Sequence, residues 1–585
     1  MKKEVLALGL CMALGLSMRA LAAEEAPVPM LELRNPAEEE ELGKEEEQEM
    51  AGEVLLASAD SLTLALGRLD EEGFSLIGEE VTIPLSEDTR IGRGAFPFLD
   101  APEEPWTSEE ILIEPGDLVL VRLDEEGRGI EVTVFEEGAP EGALAQEGPL
   151  EEMVQVPSRT LGEMEEAPDY EAVLSFASDE EIKEQDIISH AADENAVHIS
   201  RGAFVSLTDV NLERESERDT GGEASRRYGV GAAALVTDGD LSILGGSIRT
   251  KALGAAGVFA YSQGAANLAE GDVHTERDKS PGVCAVGGGT LSATNLMVIT
   301  EGENSAALYA AENSVLTIEG GSFLTKGSSS PALYGGGTVS VGNAVLEAEE
   351  AEAIRLEETG KVELKDCTLV GNLLGKEKTE DTRAVLLTQR IPLDEQTEGV
   401  SLSLHGGSLS TGQGGFFYVT NTACDLELEG VTLTPAEKNP FFLRCTGNAE
   451  GIGIAGKNGA YLTLTAREQE CVGDVIWDSF SSASIYLEEN STLVGAIYPE
   501  ETHAGSEENG GAFLSIEEGS TWVVTGDSTL TCLSGPGEVV DEEGNRVSIV
   551  GSDGTEYVQG DAGVVVVTEM YEPGEKSSDS GDERQ

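Results

Sequence analysis

Two short acidic segments combine carboxylates with a glycine turn, as calcium-binding loops do. The segment TDGD contains Asp238 and Asp240, and the segment SDGTE contains Asp553 and Glu556. Ca²⁺ takes about six to eight oxygen ligands, and neither segment completes an EF-hand loop. We therefore interpret both segments as turns. Their four carboxylates are the only metal-ligand candidates, and we expect no cofactor beyond delocalised Ca²⁺ binding.

Residues that could cleave a polysaccharide do not form a complete pattern. An inverting hydrolase needs two carboxylates about 6.5 to 9.5 Å apart, but the sequence has no Asp-Asp pair, and His405-Gly406 fits a turn. A lyase needs a basic proton acceptor and further cations, but the eight Lys and Arg residues between 230 and 370 are scattered. We predict no catalytic residues and no enzymatic activity. A lyase or hydrolase with an unrecognised site is the alternative.

Aromatic residues lie near two of the three segments that interrupt the repeats, namely 213–229, 388–400 and 446–460. Aromatic rings stack on sugars, and insertions in repeat proteins often form recognition surfaces. Two phenylalanine pairs are 25 residues apart, however, and this spacing favours an internal stack. The aromatic residues are Phe416, Phe417, Tyr418, Phe441, Phe442, Trp477 and Phe480.

An eight-residue pattern recurs between residues 205 and 433 with apolar residues at alternate positions, as in VSLTDVNL and LTIEGGSF. A period of two predicts strands rather than helices. The fifth position is almost always Gly, Asn or Asp, which tolerate a left-handed backbone. The residues at this position are Asp209, Gly245, Glu270, Asn295, Gly320, Asn343, Asp366, Gly406 and Gly430.

A small residue followed by an aliphatic one precedes seven of the nine copies of this pattern, as in Gly282-Val283 and Ala307-Leu308. Each repeat of about 25 residues therefore supplies three short strands, enough for one coil of a solenoid. Coils stacked about 4.8 Å apart pair their backbones in parallel and bury a continuous apolar column. The sequence predicts an all-β protein whose main part, between Asn195 and Gly535, is a right-handed parallel β-helix of about 11 or 12 coils.

Composition divides the rest of the chain into domains and linkers. Residues 52–136 contain alternating segments separated by turns, which predicts a small antiparallel β-barrel. Residues 23–51 and 137–168 are rich in Glu, Pro and Gly, which predicts acidic linkers without a core. The β-helix with its C-terminal cap is assigned to 169–568 and a disordered tail to 569–585.

The first residues have the features of a secretion signal. Lys2 and Lys3 precede an apolar stretch, and Ala20-Leu21-Ala22 provides a small-residue cleavage site. We predict a signal peptide at 1–22 and an extracellular protein. We expect no membrane insertion, because no other segment is long and apolar enough. The sequence contains no LPxTG-type motif, so we expect no covalent cell-wall anchor.

The cysteines that follow the signal peptide show no CxxC or zinc-ligand spacing. We interpret them as small buried apolar residues, with one disulfide among the last four as the alternative. They are Cys284, Cys367, Cys424, Cys445, Cys471 and Cys532.

The net charge of the chain limits the classes of molecule that it can bind. The chain has 111 Asp and Glu against 36 Lys and Arg, a net charge of −75. Removal of Lys2, Lys3, Glu4 and Arg19 with the signal peptide takes away a net +2 and leaves −77. Such a surface repels nucleic acid and anionic lipid. We expect a monomer with no nucleic-acid partner.

The run from about Tyr170 to Glu569 resembles a family of secreted right-handed β-helix proteins of clostridia-like gut bacteria. Their pectin-lyase-like architecture is also found in bacterial adhesin passengers. The motifs that carry the resemblance are YGVGAAALVTDGDLSILGGSI, CAVGGGTL, GGFFYVTNT and STWVVTGDSTLTCL. The resemblance implies the fold, secretion and a surface-associated role without a settled activity. The expected partner is a polysaccharide or cell-surface glycan, and a purely structural rod is the alternative.

The charge predicts a salt-dependent stability. Self-repulsion in the compact state is screened beyond about 8 Å at physiological salt, and cations that bind the folded state better stabilise it. We expect millimolar Ca²⁺ to raise the melting temperature and NaCl at matched ionic strength to reproduce much of this gain. A shift specific to Ca²⁺ and abolished by Asp238→Asn or Asp553→Asn would contradict this expectation.

Overall fold

The computed structural model describes residues 48–57, 61–70, 73–84, 90–94, 118–123, 129–135, 168–357, 359–373, 382–389, 399–437, 441–449, 452–454, 456–504 and 510–574. The predicted signal peptide, most of both linkers and the end of the tail lie outside these residues. The described strands form two compact units, one before residue 148 and one after residue 149.

The first unit is a six-stranded sheet with the order β3-β2-β1-β5-β6-β4. Its strands are β1 (Gln48–Ala57), β2 (Ser61–Asp70), β3 (Gly73–Pro84), β4 (Arg90–Gly94), β5 (Leu118–Leu123) and β6 (Gly129–Phe135). The pairings are antiparallel, as predicted, except that β4 runs parallel to β6. Strand β1 begins at Gln48, inside the segment assigned to the acidic linker, because β5 gives these residues a pairing partner.

The second unit is built from short strands and one short helix, α1 (Glu223–Tyr228). Its first strands are β7 (Ala172–Phe176), β8 (Glu180–Lys183), β9 (Asp186–Ser189), β10 (Asn195–Ile199), β11 (Ala203–Thr208), β12 (Asn211–Glu215), β13 (Ala234–Leu244), β14 (Ser247–Lys251), β15 (Val258–Ala269), β16 (Asp272–Thr275), β17 (Val283–Val286), β18 (Thr290–Thr300), β19 (Leu308–Ala310), β20 (Val315–Thr325), β21 (Leu333–Gly335), β22 (Thr338–Gly342), β23 (Val345–Ala348), β24 (Ile354–Leu356), β25 (Lys361–Lys365) and β26 (Thr368–Gly371).

The later strands are β27 (Arg383–Leu387), β28 (Val400–His405), β29 (Ser408–Thr411), β30 (Gly415–Val419), β31 (Thr422–Glu429), β32 (Thr432–Thr434), β33 (Phe441–Cys445), β34 (Ala460–Arg467), β35 (Glu470–Val472), β36 (Asp474–Trp477), β37 (Ser482–Glu488), β38 (Thr492–Val494), β39 (Ile497–Pro499), β40 (Gly511–Ile516), β41 (Thr521–Val524), β42 (Ser528–Gly535), β43 (Glu538–Asp541), β44 (Ser548–Gly551), β45 (Glu556–Val558) and β46 (Val565–Pro573).

These strands form a parallel β-helix with three ladders. The first ladder is β7-β10-β13-β15-β17-β19-β21-β24-β27-β30-β33-β36-β39. The second is β8-β11-β13-β15-β18-β20-β22-β25-β28-β31-β34-β37-β40-β42. The third is β9-β12-β14-β16-β18-β20-β23-β26-β29-β32, and the separate sheet β35-β38-β41-β43 follows it. Long strands such as β13 take part in two ladders because they continue around a bend.

The coil count exceeds the predicted 11 or 12. Within the described residues, the second ladder contains 13 strands from β11 to β42, and β7 to β9 add a coil before Asn195. The later coils are irregular in length, which hides their period in the sequence. Strand β46 extends to Pro573, beyond the predicted end of the domain at residue 568, because it pairs in parallel with β42.

The predicted left-handed bend recurs from coil to coil. We call the nine residues at the fifth position of the repeat the turn ladder. All nine have positive φ, from 49° at Asn295 to 65° at Gly320. Inside the bends, one continuous apolar cluster runs from Ile182 to Val566. The six cysteines after the predicted signal peptide are buried and form no disulfide within the described residues, as the interpretation of small apolar residues requires.

The turn ladder gives a stability prediction. A Cβ at Gly320 would lie 2.6 Å from Oδ1 of Asn295 in the preceding coil, at φ +65°. We expect Gly320→Val to lower the free energy of unfolding by about 1 to 3 kcal/mol or more, since a β-branched residue rarely adopts this conformation. Ser322→Val, at an exposed position of the same strand, should change stability by less than about 0.5 kcal/mol. Equal midpoints in chemical denaturation of the two variants would contradict the bend assignment.

Candidate functional site

A column of side chains faces outward from the first ladder, one from each coil. The residues on either side of each member point into the core, so the column lies outside the β-helix. We call it the outer column. Its members in register are His198, Leu235, Phe259, Cys284, Tyr309, Tyr334, Arg355, Leu386, Tyr418, Arg444, Ile476 and Tyr498.

The early part of the outer column forms an apolar cluster separate from the core. Phe259 is 1% exposed and Tyr309 is 7% exposed, although both lie outside the coil. The rings of Tyr309 and Tyr334 stack, with centroids 4.8 Å apart and planes 9° apart. Tyr334 donates a 2.9 Å hydrogen bond from its hydroxyl to Oε2 of Glu357. These contacts fix the tyrosine rings on the flank.

The segment between β12 and β13, which includes α1, is anchored beside this cluster. Its anchor is the fully buried Arg214, which donates from Nη2 to both carboxylate oxygens of Asp219 and to the Ala191 carbonyl oxygen. Oδ1 of Asp219 also accepts a 2.9 Å bond from the backbone N–H of Asp193. The segment is therefore tied to the coil beneath it by a desolvated ion pair.

An open cavity of about 360 Å³ lies between this segment and the outer column. The segment contributes Gly221, Gly222, Glu223, Ser225 and Arg226 to its lining. The coils contribute apolar side chains, including Phe259, Cys284 and Tyr309, and the smaller Ala256, Pro281 and Ala306. Lys279, Asn304 and Gly254 complete the lining. The cavity thus has a largely apolar lining with a small number of polar groups, which is typical of ligand sites.

Lys279 and Asn304 occupy equivalent bends of successive coils. Their φ angles are 57° and 55°, and the backbone N–H of Lys279 donates a 2.8 Å bond to the Glu303 carbonyl oxygen in the next coil. Asn304 is only 8% exposed, and its Oδ1 is buried without a hydrogen-bond partner among the described residues. The repeat therefore places Lys279 and Asn304 side by side in the lining of the cavity.

The cavity carries both signs of charge. Oε1 of Glu223 lies 3.9 Å from Nη2 of Arg226 and 2.8 Å from Nε of Arg227. Burial raises the pKa of the Cys284 thiol, so this residue stays protonated and is a poor nucleophile. The arrangement places charged and polar groups beside an apolar lining.

Further along the flank, the outer column passes two buried ion pairs. Nε of Arg355 donates a 2.7 Å bond to Oε1 of Glu357, and Nη2 of Arg383 lies 3.0 Å from Oε1 of Glu352. The guanidinium of Arg383 also lies 5.4 Å from the centre of the Tyr418 ring. All four charged residues are at most 2% exposed. Arginine therefore neutralises both glutamates.

The structure does not bring the predicted metal ligands together. Asp238 and Asp240 are exposed on β13, and Asp553 and Glu556 are exposed near β45. The Asp553 carboxylate accepts a hydrogen bond from the Thr555 backbone, and bonding within this turn lowers its pKa. Among the described residues, no group of three or more His, Cys, Asp or Glu side chains could hold a metal ion.

The later aromatic residues form an internal stack, as their spacing predicts. Phe416, Phe417 and Phe442 are fully buried, and the rings of Phe417 and Phe442 meet edge to face at 5.8 Å. Ile452, from the predicted insertion 446–460, packs on Tyr418 of the outer column. The hydroxyl of Tyr418 donates to the Gly447 carbonyl oxygen at 2.8 Å. These rings are not available as an exposed sugar platform.

The sequence contained an unused signal for the cavity. Phe259, Cys284, Tyr309 and Tyr334 are each 25 residues apart, one coil per step, and the interval between Lys279 and Asn304 is the same. The repeat pattern described above consists of the inward positions of the coils, and these outward positions lie outside it.

No protein-family model, curated protein or solved structure matches the chain. Within the part of the chain that the structure describes, no helix is long and apolar enough to cross a membrane.

The anchor of the cavity wall gives a prediction. Asp219→Asn removes the anion from a buried pair and leaves the Arg214 charge uncompensated. This change should lower the free energy of unfolding by about 3 to 5 kcal/mol. We expect trypsin to cleave faster after Arg226 and Arg227, measured by mass spectrometry of timed digests.

The matched control is Asp272→Asn, because Asp272 pairs with Arg249 at a solvent-accessible position. Such pairs contribute about 0 to 1 kcal/mol, so digestion should stay unchanged. Equal cleavage rates in both variants would show that Asp219 does not anchor the segment.

Proposed function

We propose that this chain is an extracellular, non-catalytic β-helix protein that binds a carbohydrate in the cavity beside its outer column. The observation that carries the proposal is the cavity itself, whose lining combines small apolar side chains such as Ala256 and Pro281 with polar and charged side chains such as Glu223, Arg226 and Lys279. Sugars present apolar ring faces edged by hydroxyl groups, so a carbohydrate matches both features.

The dimensions and construction of the cavity support this proposal. A volume of about 360 Å³ falls within the range of about 300 to 1,000 Å³ that is usual for small-molecule sites. Its wall is an insertion on one face of a solenoid, where repeat proteins commonly place recognition surfaces. The tyrosine stack and the Arg214 anchor keep both sides in place, which limits the ordering cost of binding.

The charged groups on the same flank support a role without catalysis. The carboxylates of Glu352 and Glu357 are buried and bonded to arginine, whereas a hydrolytic pair needs one protonated and one ionised carboxyl at the substrate. The sequence features at 1–22 and the resemblance to pectin-lyase-like and adhesin-like β-helices support secretion and a surface-associated role.

A blocking variant tests the location of binding. A Cβ at Gly222 meets open space, and this residue lines the cavity with an ordinary φ of −85°. We expect Gly222→Trp to weaken binding of any glycan identified on an array by at least about tenfold, measured by calorimetry. Gly563→Trp, at another open glycine outside the cavity, should bind like the unmodified protein. Equal affinities of the two variants would place binding elsewhere.

The absence of catalysis has its own test. Incubation with pectin, polygalacturonate or xylan in the presence of Ca²⁺ should yield no reducing ends and no unsaturated uronides above a buffer control. Steady turnover that survives repurification would establish a lyase or hydrolase instead.

A further inference from the structure

The outward face of the second ladder carries few charges over six successive coils. Strands β11, β13, β15, β18, β20 and β22 pair in parallel, and three outward positions from each strand form three columns. We call these eighteen positions the neutral face. Its columns are Phe204-Asp240-Ala265-Thr290-Val315-Thr338, Ser206-Ser242-Asn267-Ser292-Thr317-Ser340 and Thr208-Leu244-Ala269-Thr294-Glu319-Gly342.

The coils on either side of the neutral face are charged at the same positions. Within the face, only Asp240 and Glu319 carry a charge, and both lie in the outer columns. The preceding strand β8 carries an outward ion pair between Lys183 and Glu181. Since 25% of the residues in the whole chain are charged, the face is a local depletion of charge. In the following strand β25, all three outward residues are charged, namely Lys361, Glu363 and Lys365.

The neutral face also exposes large apolar side chains. Among the described residues, Phe204, Leu244 and Val315 are 51%, 47% and 40% exposed. A coil spacing of about 4.8 Å and a rise of about 3.3 Å per residue give the face about 24 Å by 13 Å between its outermost Cα positions. Contiguous exposed patches that contain apolar residues mark interaction sites in soluble proteins when they exceed a few hundred Å².

We propose that the neutral face binds a second copy of this chain, face to face, about a two-fold axis. A cationic partner would be attracted to the carboxylate-rich surface elsewhere, because opposite charges drive association. A second copy has the same large negative charge, so it can approach only where few like charges meet. The net charge alone predicts a monomer, but on this face the local repulsion is small. The proposal is independent of the cavity, which lies beside the first ladder.

The positions of the two carboxylates suit a two-fold arrangement centred on the neutral face. With the axis along the direction in which the coils stack, Asp240 faces Leu244 of the second copy and Glu319 faces Val315. With the axis along the strands, Asp240 faces Val315 and Glu319 faces Leu244. In neither arrangement do carboxylates meet, and the middle columns of hydroxyl and amide groups face each other. The outer columns lie at the rim, where an interface stays accessible to water.

The size of the neutral face predicts a reversible dimer. The area between its outermost Cα positions is about 300 Å², whereas a stable interface buries about 800 Å² on each partner. Sheets that pack face to face lie about 10 Å apart, so side chains on the flanking bends add contact area. We therefore expect the dimer to form at high protein concentration and to dissociate on dilution.

Sedimentation equilibrium of the full-length protein at several concentrations tests the dimer. We expect its dissociation constant to fall by at least about tenfold between 0.15 M and 1 M NaCl, because the screening length falls from about 8 Å to about 3 Å. An interface between opposite charges would weaken at high salt instead. Monomer alone at both salt concentrations, or a dimer that weakens at high salt, would overturn the proposal.

A matched pair of variants tests the location of the contact. Thr317→Glu puts a carboxylate at an exposed position in the middle column, and the dissociation constant should rise by at least about tenfold because like charges then face each other. Thr432→Glu makes the same change at an exposed position of the third ladder and should dimerise like the unmodified protein. Both variants should keep the melting temperature of the parent.

The comparison of the two variants also separates a second copy from a polysaccharide as the occupant of the face. Equal dissociation constants in Thr317→Glu and Thr432→Glu would place the contact elsewhere and overturn the proposal. If Thr317→Glu abolished adsorption to insoluble cellulose but left dimerisation unchanged, the neutral face would bind an uncharged polysaccharide instead of a second copy.

Discussion

The whole β-helix depends on one backbone constraint, the left-handed bend between the second and third ladders of each coil. All nine residues of the turn ladder adopt positive φ, which Gly, Asn and Asp accept more readily than other residues. This bend turns the chain while its backbone stays paired with the coils above and below. Because the bend recurs at equivalent places, inward side chains stack on one another, and one apolar cluster extends from Ile182 to Val566.

The same alternation that fills the core creates a second column outside it. On the first ladder this outer column is aromatic or aliphatic in several coils, and water contact with such rings is unfavourable. Two insertions reduce the contact of the outer column with water. One carries α1 beside Phe259, and the other places Ile452 on Tyr418. The cavity is the space that the first insertion leaves uncovered. Its existence therefore follows from the length of an insertion and from the buried Arg214–Asp219 pair that holds it.

The net charge of the surface and the buried ion pairs affect different properties of the protein. A net charge of −75 repels other polyanions over the surface as a whole. Several of the few arginines are nonetheless buried against carboxylates, as in Arg355 with Glu357 and Arg383 with Glu352. Removing one partner of such a buried pair destabilises a protein more than the intact pair stabilises it. Their effect here is to fix the outer column at Tyr334, which donates to Glu357, and at Tyr418, which lies beside Arg383.

The sequence by itself determined the all-β class, the repeat and the bend positions, because each depends on residues close together in the chain. It also correctly predicted the buried cysteines and the internal phenylalanine stack, since both follow from the inward positions of the repeat. Only the tertiary structure decided the number of coils, the start of β1 at Gln48, the parallel pairing of β4 and the end of β46 at Pro573, because these depend on distant pairing partners. The same holds for the cavity. Asn304 and Lys279 read as ordinary turn residues in the sequence, and only the register between coils and the fold of the insertion place them beside Phe259 and Arg226.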